Sequence, residues 1–98
     1  MYGQIRGISM TSEFGLMTFK NTHQAIKTHE LLEHYPDYNA DIIATPGQIS
    51  AGCGMSVRFK YGQKAALKKL LAAKEYDYQH IYRGQRSIGV QSSYQVDD

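Results

Sequence analysis

The pattern of hydrophobic and polar positions along this 98-residue chain predicts four short strands and two amphipathic helices. Each predicted strand is a short run rich in aliphatic, β-branched or aromatic residues. We place these strands at residues 14–19, 40–45, 55–60 and 78–83. Apolar and polar residues alternate strictly in the third strand, so one face of the predicted sheet is apolar and the other is polar. The apolar side carries Met55, Val57 and Phe59, and the polar side carries Ser56, Arg58 and Lys60.

The first predicted helix follows the first strand. Asn21 or Thr22 supplies a side-chain oxygen that can cap it, and the helix runs to about Tyr35, where Pro36 stops it. Its inner face is expected to contain Ala25, Leu32 and either Thr28 or His29, with Ile26 beside them.

The second predicted helix spans residues 62–74. Leu67, Leu70, Leu71 and Lys74 recur at the spacing of one helical face. Its lysines, Lys64, Lys68, Lys69 and Lys74, form either a solvated face or a docking surface for an acidic partner.

The order strand, helix, strand, strand, helix, strand is that of the ferredoxin-like, split βαβ sandwich, an α+β fold. We therefore expect a four-stranded antiparallel sheet with both helices on one face. The other face is solvated, pairs with a second copy in a homodimer, or binds a partner. Residues 14–84 are expected to form one domain, preceded by an extension at 1–13 and followed by a loose polar tail at 85–98. Met10 is an alternative start to Met1.

Composition narrows the class of protein. Hydrophobic content of 42% and charged content of 20% are typical of a soluble globular chain. A net charge of +2 is too small to indicate binding to nucleic acid or to an anionic membrane. A lone cysteine cannot form an internal disulfide, which fits a reducing compartment. Because no apolar run has the length of a signal peptide or a membrane span, we expect a cytoplasmic protein.

Two other candidate motifs, one for metal binding and one for RNA binding, do not predict a functional site. His29 and His34 are five residues apart, about 140° around a helix, so they do not share a face as zinc-binding histidines would. We expect no metal and no other cofactor. The aromatic and basic stretch at residues 56–62 lacks the residue order of the RNA-binding version of this fold, and we do not expect RNA binding.

The most informative stretch is TPGQISAGCGMSVRF, residues 45–59, which contains the lone cysteine. Cys53 lies between Gly52 and Gly54, in a loop between the second and third predicted strands. The glycines remove two side chains that would shield the sulfur, and they permit backbone angles closed to other residues. Exposed thiolates are reactive, whereas buried free cysteines act as small hydrophobes. The sequence leaves both roles open.

The same stretch resembles a small domain family that is named for a role as a selenium or sulfur carrier. Family members have a strand ending in Thr-Pro, a run of small residues, Cys-Gly, and an apolar strand ending in Arg-Phe. The matching positions here are Thr45, Pro46, Ile49, Ser50, Cys53, Gly54, Val57, Arg58 and Phe59. The resemblance extends through the first helix and covers about residues 14–83. The chain departs from the family pattern at Gly47 and His29, where relatives often have charged residues.

This resemblance implies a carrier rather than a turnover enzyme. Cys53 would accept sulfur or selenium as a persulfide or selenopersulfide from a donor protein and pass it to an acceptor protein. The supporting loop would consist of Pro46, Ser50, Gly52 and Gly54. Arg58, the lysines or loop amides are candidates to stabilise the thiolate. The alternative is an interaction or regulatory module in which Cys53 only packs.

Overall fold

The computed structural model describes residues 11–49, 52–87 and 92–98. Within these residues the chain forms an α+β fold with one five-stranded antiparallel sheet and two α-helices. The strands are β1 (Thr11–Thr18), β2 (Asp41–Ala44), β3 (Met55–Phe59), β4 (His80–Ser87) and β5 (Ser93–Val96). The helices are α1 (Thr22–Leu32) and α2 (Lys64–Lys74), and short 3-10 helices span Pro36–Tyr38 and Tyr61–Gln63. Met10 and most of the predicted N-terminal extension lie outside the described residues.

The strand order in the sheet is β2-β3-β1-β4-β5, with every neighbouring pair antiparallel. The long central strand β1 pairs with β3 from Gly15 to Thr18 and with β4 along its whole length. The α+β class is therefore confirmed, but the predicted count of four strands is wrong.

The additional strand comes from the segment that we predicted to be a loose tail. β4 continues to Ser87, and β5 pairs with it from Ser93, opposite Gln85, to Val96, opposite Tyr82. Contacts from distant parts of the chain hold β5 in place. The ring of Tyr94 packs edge-on against Phe14 with 5.8 Å between ring centroids. A four-residue polar strand gains its stability from such partners, and the local pattern does not reveal them.

Both helices pack on one face of the sheet, because the same buried cluster contains residues of each helix and of the sheet. The helices contribute Ala25, Leu32, Leu67 and Leu71, and the strands contribute Met17, Val57, Phe59 and Ile81. Asn21 caps α1 by accepting a hydrogen bond from the Gln24 amide at 2.9 Å. The inner face of α1 uses Thr28 rather than His29, and on α2 Leu70 is only half-buried and Lys74 is exposed.

The face of the sheet opposite the helices is covered at its centre. Leu16, Thr18 and Ser56 are fully buried there, although alternation alone predicted a polar, open face. The Gln48 side chain, in the loop after β2, donates a hydrogen bond to the Ser92 carbonyl, just before β5, at 3.0 Å. Because β2 and β5 are opposite edges of the sheet, about 19 Å apart, these segments meet across a face rather than in the sheet plane.

Candidate functional site

Cys53 lies in the loop that joins β2 to β3, residues 45–54, which we call the thiol loop. Its side chain is half-buried and packs against the core between the helices and the sheet. The Sγ atom lies 3.2 Å from the Met55 carbonyl oxygen, to which the thiol donates a hydrogen bond. The thiol is therefore neither freely exposed nor sealed in the interior.

Thr45 closes the base of the thiol loop. Its amide donates to the Gly54 carbonyl at 2.8 Å, which extends the pairing of β2 and β3 by one step. Its hydroxyl lies 3.3 Å from the Cys53 carbonyl and 2.6 Å from the Ser56 hydroxyl. The carbonyls of Cys53 and Gly54 are thus both bonded to Thr45, the residue after β2, so the loop is closed at its base on the C-terminal side of Cys53.

Gly52 lies at close range to Lys20, which follows the end of β1. A Cβ atom on Gly52 would lie 2.8 Å from both the Cα and the carbonyl oxygen of Lys20, closer than real side chains approach backbone. The Gly52 amide donates to Oε1 of Gln79, immediately before β4, at 3.2 Å. Lys20 follows the end of β1 and Gln79 precedes β4, so the thiol loop lies beside the end of β1 and reaches the residue that leads into β4.

Gly54 has no such constraint, since an added Cβ would meet nothing within 4 Å. Neither Gly52 nor Gly54 has its φ angle in the left-handed region, so the expectation that these glycines supply unusual backbone angles is wrong. Gly52 is required by a close approach to Lys20 rather than by its own φ angle.

The other predicted loop residues are placed as follows. Pro46 is half-buried, and its carbonyl accepts a hydrogen bond from the Ile49 amide at 3.0 Å, which forms a turn. Ile49 is buried. Ser50 lies outside the described residues. Sequence reasoning missed Gln79, because it is 27 residues beyond Gly52 and no local pattern links the two.

Arg58 is not brought to the thiol. It lies five residues beyond Cys53, about 16 Å along an extended strand, and forms a salt bridge with Asp41 at 3.2 Å. With Asp41 and Lys60 it lines a groove of about 680 Å³. This groove lies at the opposite end of β3 from the thiol loop, and its wall carries charges of both signs, from Asp37 to Arg86.

A second polar cluster anchors the end of β5. Asp97 accepts hydrogen bonds from the Tyr61 hydroxyl and from Lys64 Nζ, the latter at 3.0 Å. The bond to Asp97 raises the pKa of Tyr61, and the bonds from Tyr61 and Lys64 lower the pKa of Asp97. Arg83 is nearby, and its own hydrogen bond to Glu13 raises the pKa of its guanidinium. One lysine of the predicted basic face therefore binds the chain's own carboxylate.

The adjacent residue, Asp98, binds the first residues of β4. Its carboxylate lies 2.9 Å from His80 Nδ1 and accepts a hydrogen bond from the Ile81 amide at 2.7 Å. Burial raises the pKa of Asp98, but these two hydrogen bonds outweigh burial and hold that pKa below its ordinary value.

In the residues that the structure describes, no group of three or more His, Cys, Asp or Glu side chains could hold a metal ion. Among the described helices, none has both the length and the apolar character needed to cross a membrane.

Comparison with known proteins identifies one family. A family model described as "Putative Se/S carrier protein-like" matches residues 14–83, the range over which the sequence resembled that family. The match includes the whole thiol loop and both helices. Searches of curated proteins and of solved structures give no significant match.

Proposed function

Because this chain belongs to the Se/S carrier protein-like family, we propose that it carries sulfur or selenium on Cys53. The observation that supports this most directly is the position of the lone cysteine. It lies half-buried in a loop that is closed at its base by Thr45 and packs closely against the Lys20 backbone at Gly52. A carrier must reach a partner and yet protect its cargo, and a half-buried thiol on a tethered loop suits both needs.

The proposed transfer of a sulfur atom to Cys53 is a thiol exchange and needs no oxidant. The Cys53 thiolate attacks the terminal sulfur of a donor persulfide, R–S–SH. The donor's S–S bond breaks, a new S–S bond forms on Cys53, and R–S⁻ leaves and takes up a proton. Selenium transfer is the same exchange with R–S–SeH. In the reverse sense, an acceptor's thiolate takes the terminal atom and Cys53 is released as the thiolate.

The absence of a second cysteine in the chain is an advantage for this chemistry. A neighbouring thiol would attack the inner sulfur, release the cargo as hydrogen sulfide or selenide and leave a disulfide. We therefore propose that donor and acceptor are separate proteins and that the chain acts in the cytoplasm as a carrier rather than a turnover enzyme. We also propose that β1 to β4 and the two helices follow the ferredoxin-like plan, which the order β2-β3-β1-β4 supports.

A second candidate function is an interaction module in which Cys53 only packs. Two observations favour it: Cys53 contacts the buried core, and its thiol donates to the Met55 carbonyl. Under this proposal the cysteine is a small hydrophobic residue, and the sheet edges or the groove near Arg58 would bind the partner.

Persulfide loading separates these two functions. We expect native protein treated with glutathione persulfide to gain one sulfur atom by intact-mass spectrometry and to lose it on reduction with dithiothreitol. The variant Cys53→Ser is the control and should gain nothing. If native protein gains no sulfur, while iodoacetamide labels Cys53 only after denaturation, the carrier proposal is wrong and the interaction module becomes the better one.

A further inference from the structure

The sheet has a gap beside the first half of β1. This strand pairs with β4 along its whole length, but it pairs with β3 only from Gly15 to Thr18. β3 ends at Phe59, and the amide of the next residue, Lys60, donates to the Tyr38 carbonyl at 2.8 Å. Within the part of the chain that the structure describes, no strand therefore lies on this side of β1 before Gly15. We call this gap the slot.

The slot coincides with the groove of about 680 Å³ at the far end of β3 from the thiol loop. Ser12, Glu13 and Phe14 line the groove on the side of β1, and Pro36 and Asn39 line it on the side of β2. Because β1 and β2 flank β3 in the sheet, these two sides are about 10 Å apart. One further strand needs a space of this width.

The backbone of Glu13 faces the slot. Alternate residues of an antiparallel strand direct their N–H and C=O groups to opposite neighbours. Lys60 bonds on the side of β2, so Phe59 bonds on the side of β1, where it is opposite Gly15. Glu13 is two residues before Gly15, and its N–H and C=O therefore point to the same side, past the end of β3. No backbone group among the described residues bonds to them, so Glu13 offers one donor and one acceptor to an added strand.

The charges in the groove favour an acidic guest. Two of its carboxylates, Glu13 and Asp41, already have arginine partners. By contrast, no carboxylate of the described residues lies within salt-bridge distance of Lys60 or Arg86. Asp37 is left to face both cations. The groove therefore has more unpaired positive charge than unpaired negative charge.

Arg86 brings its charge to the slot from β4. Its guanidinium carbon lies 5.8 Å from the centre of the Phe14 ring, so the side chain reaches over β1 to line the groove. Phe14 alternates with Leu16, so both side chains lie on the face of the sheet opposite the helices. A strand in the slot would place every second side chain on this face, beside the Phe14 ring and the Arg86 guanidinium.

We propose that the slot binds an extended segment of a partner protein as an added antiparallel strand, with acidic side chains on the face opposite the helices. Main-chain hydrogen bonds to Glu13 hold the segment in the sheet, and Lys60 and Arg86 select acidic residues at alternate positions. This inference rests on the proposal, common to both candidate functions, that the chain acts on partner proteins. Cys53 takes no part in it.

A short peptide tests the slot directly. The probe is acetyl-Thr-Glu-Val-Glu-Thr-amide, whose two glutamates lie on one face of a strand, and its control is acetyl-Thr-Lys-Val-Lys-Thr-amide. With the isotopically labelled full chain, we expect the glutamate peptide at millimolar concentration to shift the NMR amide signals of Glu13 and Phe14. The lysine peptide should bind roughly tenfold more weakly, because it places like charges beside Lys60 and Arg86.

Variants of the chain separate the backbone contribution from the charge contribution. Glu13→Pro removes the N–H that faces the slot, at a position where β1 does not need it for pairing with β4. Glu13→Ala is its matched control, because it loses the same side chain but keeps the N–H. We expect Glu13→Pro to bind the glutamate peptide about fivefold more weakly than Glu13→Ala, the equilibrium effect of one typical hydrogen bond.

Arg86→Ala should also weaken binding, by up to about fivefold, through the loss of one cross-strand charge pair. Lys69→Ala removes an exposed lysine from α2 and should leave the affinity unchanged. If Glu13→Pro does not fold, the comparison of Arg86→Ala with Lys69→Ala decides, and equal affinity of these two variants overturns the proposal.

The proposal is also wrong if the glutamate peptide shifts no signal of β1, if the lysine peptide binds equally well, or if folded Glu13→Pro and Glu13→Ala bind alike. Free glutamate at the same concentration is a further comparison. Equal shifts with free glutamate would mean that the groove takes a small anion rather than a strand, which overturns the proposal. Persulfide loading is measured on Cys53, so failure of sulfur transfer and failure of peptide binding are distinguishable.

Discussion

The aromatic ring of Phe59 on β3 covers Gly15 on β1, the residue directly opposite it in the sheet. Ring carbons of Phe59 occupy the space in which a Cβ of residue 15 would lie. Phe59 is almost completely buried at 1% exposure, so the ring has little room to move aside. The ring of Phe14 covers Gly84 on β4 in the same way. In both strands, a glycine is present because an aromatic ring occupies the space that a Cβ atom would need.

The first prediction concerns this pair. Gly15→Ala should lower the free energy of unfolding by roughly 1–3 kcal/mol, because the added methyl group overpacks the core against Phe59. Gly62→Ala is the control, since a Cβ there would meet nothing within 4 Å. Urea denaturation of both variants provides the measurement. Equal stability of the two would show that the ring moves aside freely.

The second prediction compares neighbouring leucines on α2. Leu71 is 1% exposed within the core, whereas Leu70 is only half-buried. Leu71→Ala should cost about 2–5 kcal/mol in unfolding free energy through lost burial and the cavity left behind. Leu70→Ala should cost clearly less, contrary to the helical spacing, which gave both residues the same inner face. A larger loss for Leu70→Ala would mean that α2 is rotated about its axis relative to this structure.

The elements with a strong local pattern were predictable. The alternation of Met55, Val57 and Phe59 predicted β3 and its core face. The start of α1 was predicted from a cap at Asn21 or Thr22, and the structure uses Asn21. By contrast, β5 depends on Tyr94 meeting Phe14 and on Asp97 meeting Tyr61 and Lys64. Those contacts join residues 33 to 80 positions apart, and a short polar stretch gives no sign of them.

The family was predictable from the sequence around Cys53, but the surroundings of Cys53 in the structure were not. The Cys-Gly stretch identified the family that the comparison confirmed. The alternation of side chains along β3 also predicted that Arg58 and Met55 lie on opposite faces of the sheet. In the structure, Arg58 forms a salt bridge with Asp41. However, the close contact of Gly52 with Lys20 and its bond to Gln79 depend on strand order, and strand order is a property of the whole sheet.

The third prediction concerns acid. The folded-state pKa of Asp97 lies below its ordinary value of 3.8 because of hydrogen bonds from Tyr61 and Lys64. The ionised carboxylate therefore stabilises the folded chain fully above about pH 4, and this contribution is lost as the pH falls below 3.8. We expect Asp97→Asn to be less stable than wild type at pH 6 and the difference to shrink as the pH falls below 3.8, as measured by urea denaturation. A difference that does not change with pH would show that the charge of Asp97 has no role.

The last prediction concerns alkali and the other side of the same contact. The pKa of Tyr61 is raised above its ordinary value of 10.0, first by the hydrogen bond that its hydroxyl donates to Asp97, then by burial and by the charge of Asp97. A group whose folded pKa is raised stabilises the fold fully below its unfolded pKa and loses that contribution as the pH rises through its folded pKa. Wild-type protein should therefore lose this contribution above pH 10, where the ionised phenolate faces the Asp97 carboxylate.

Tyr61→Phe cannot donate this hydrogen bond, so it should be less stable than wild type at pH 8 and the difference should shrink above pH 10. Tyr35→Phe is the matched control, because Tyr35 is 38% exposed and its ring packs against Tyr38 rather than near Asp97. Urea denaturation between pH 8 and pH 11 measures the difference for each variant. A gap between wild type and Tyr61→Phe that stays constant across this range would mean that the Tyr61 hydroxyl does not hold β5 through Asp97.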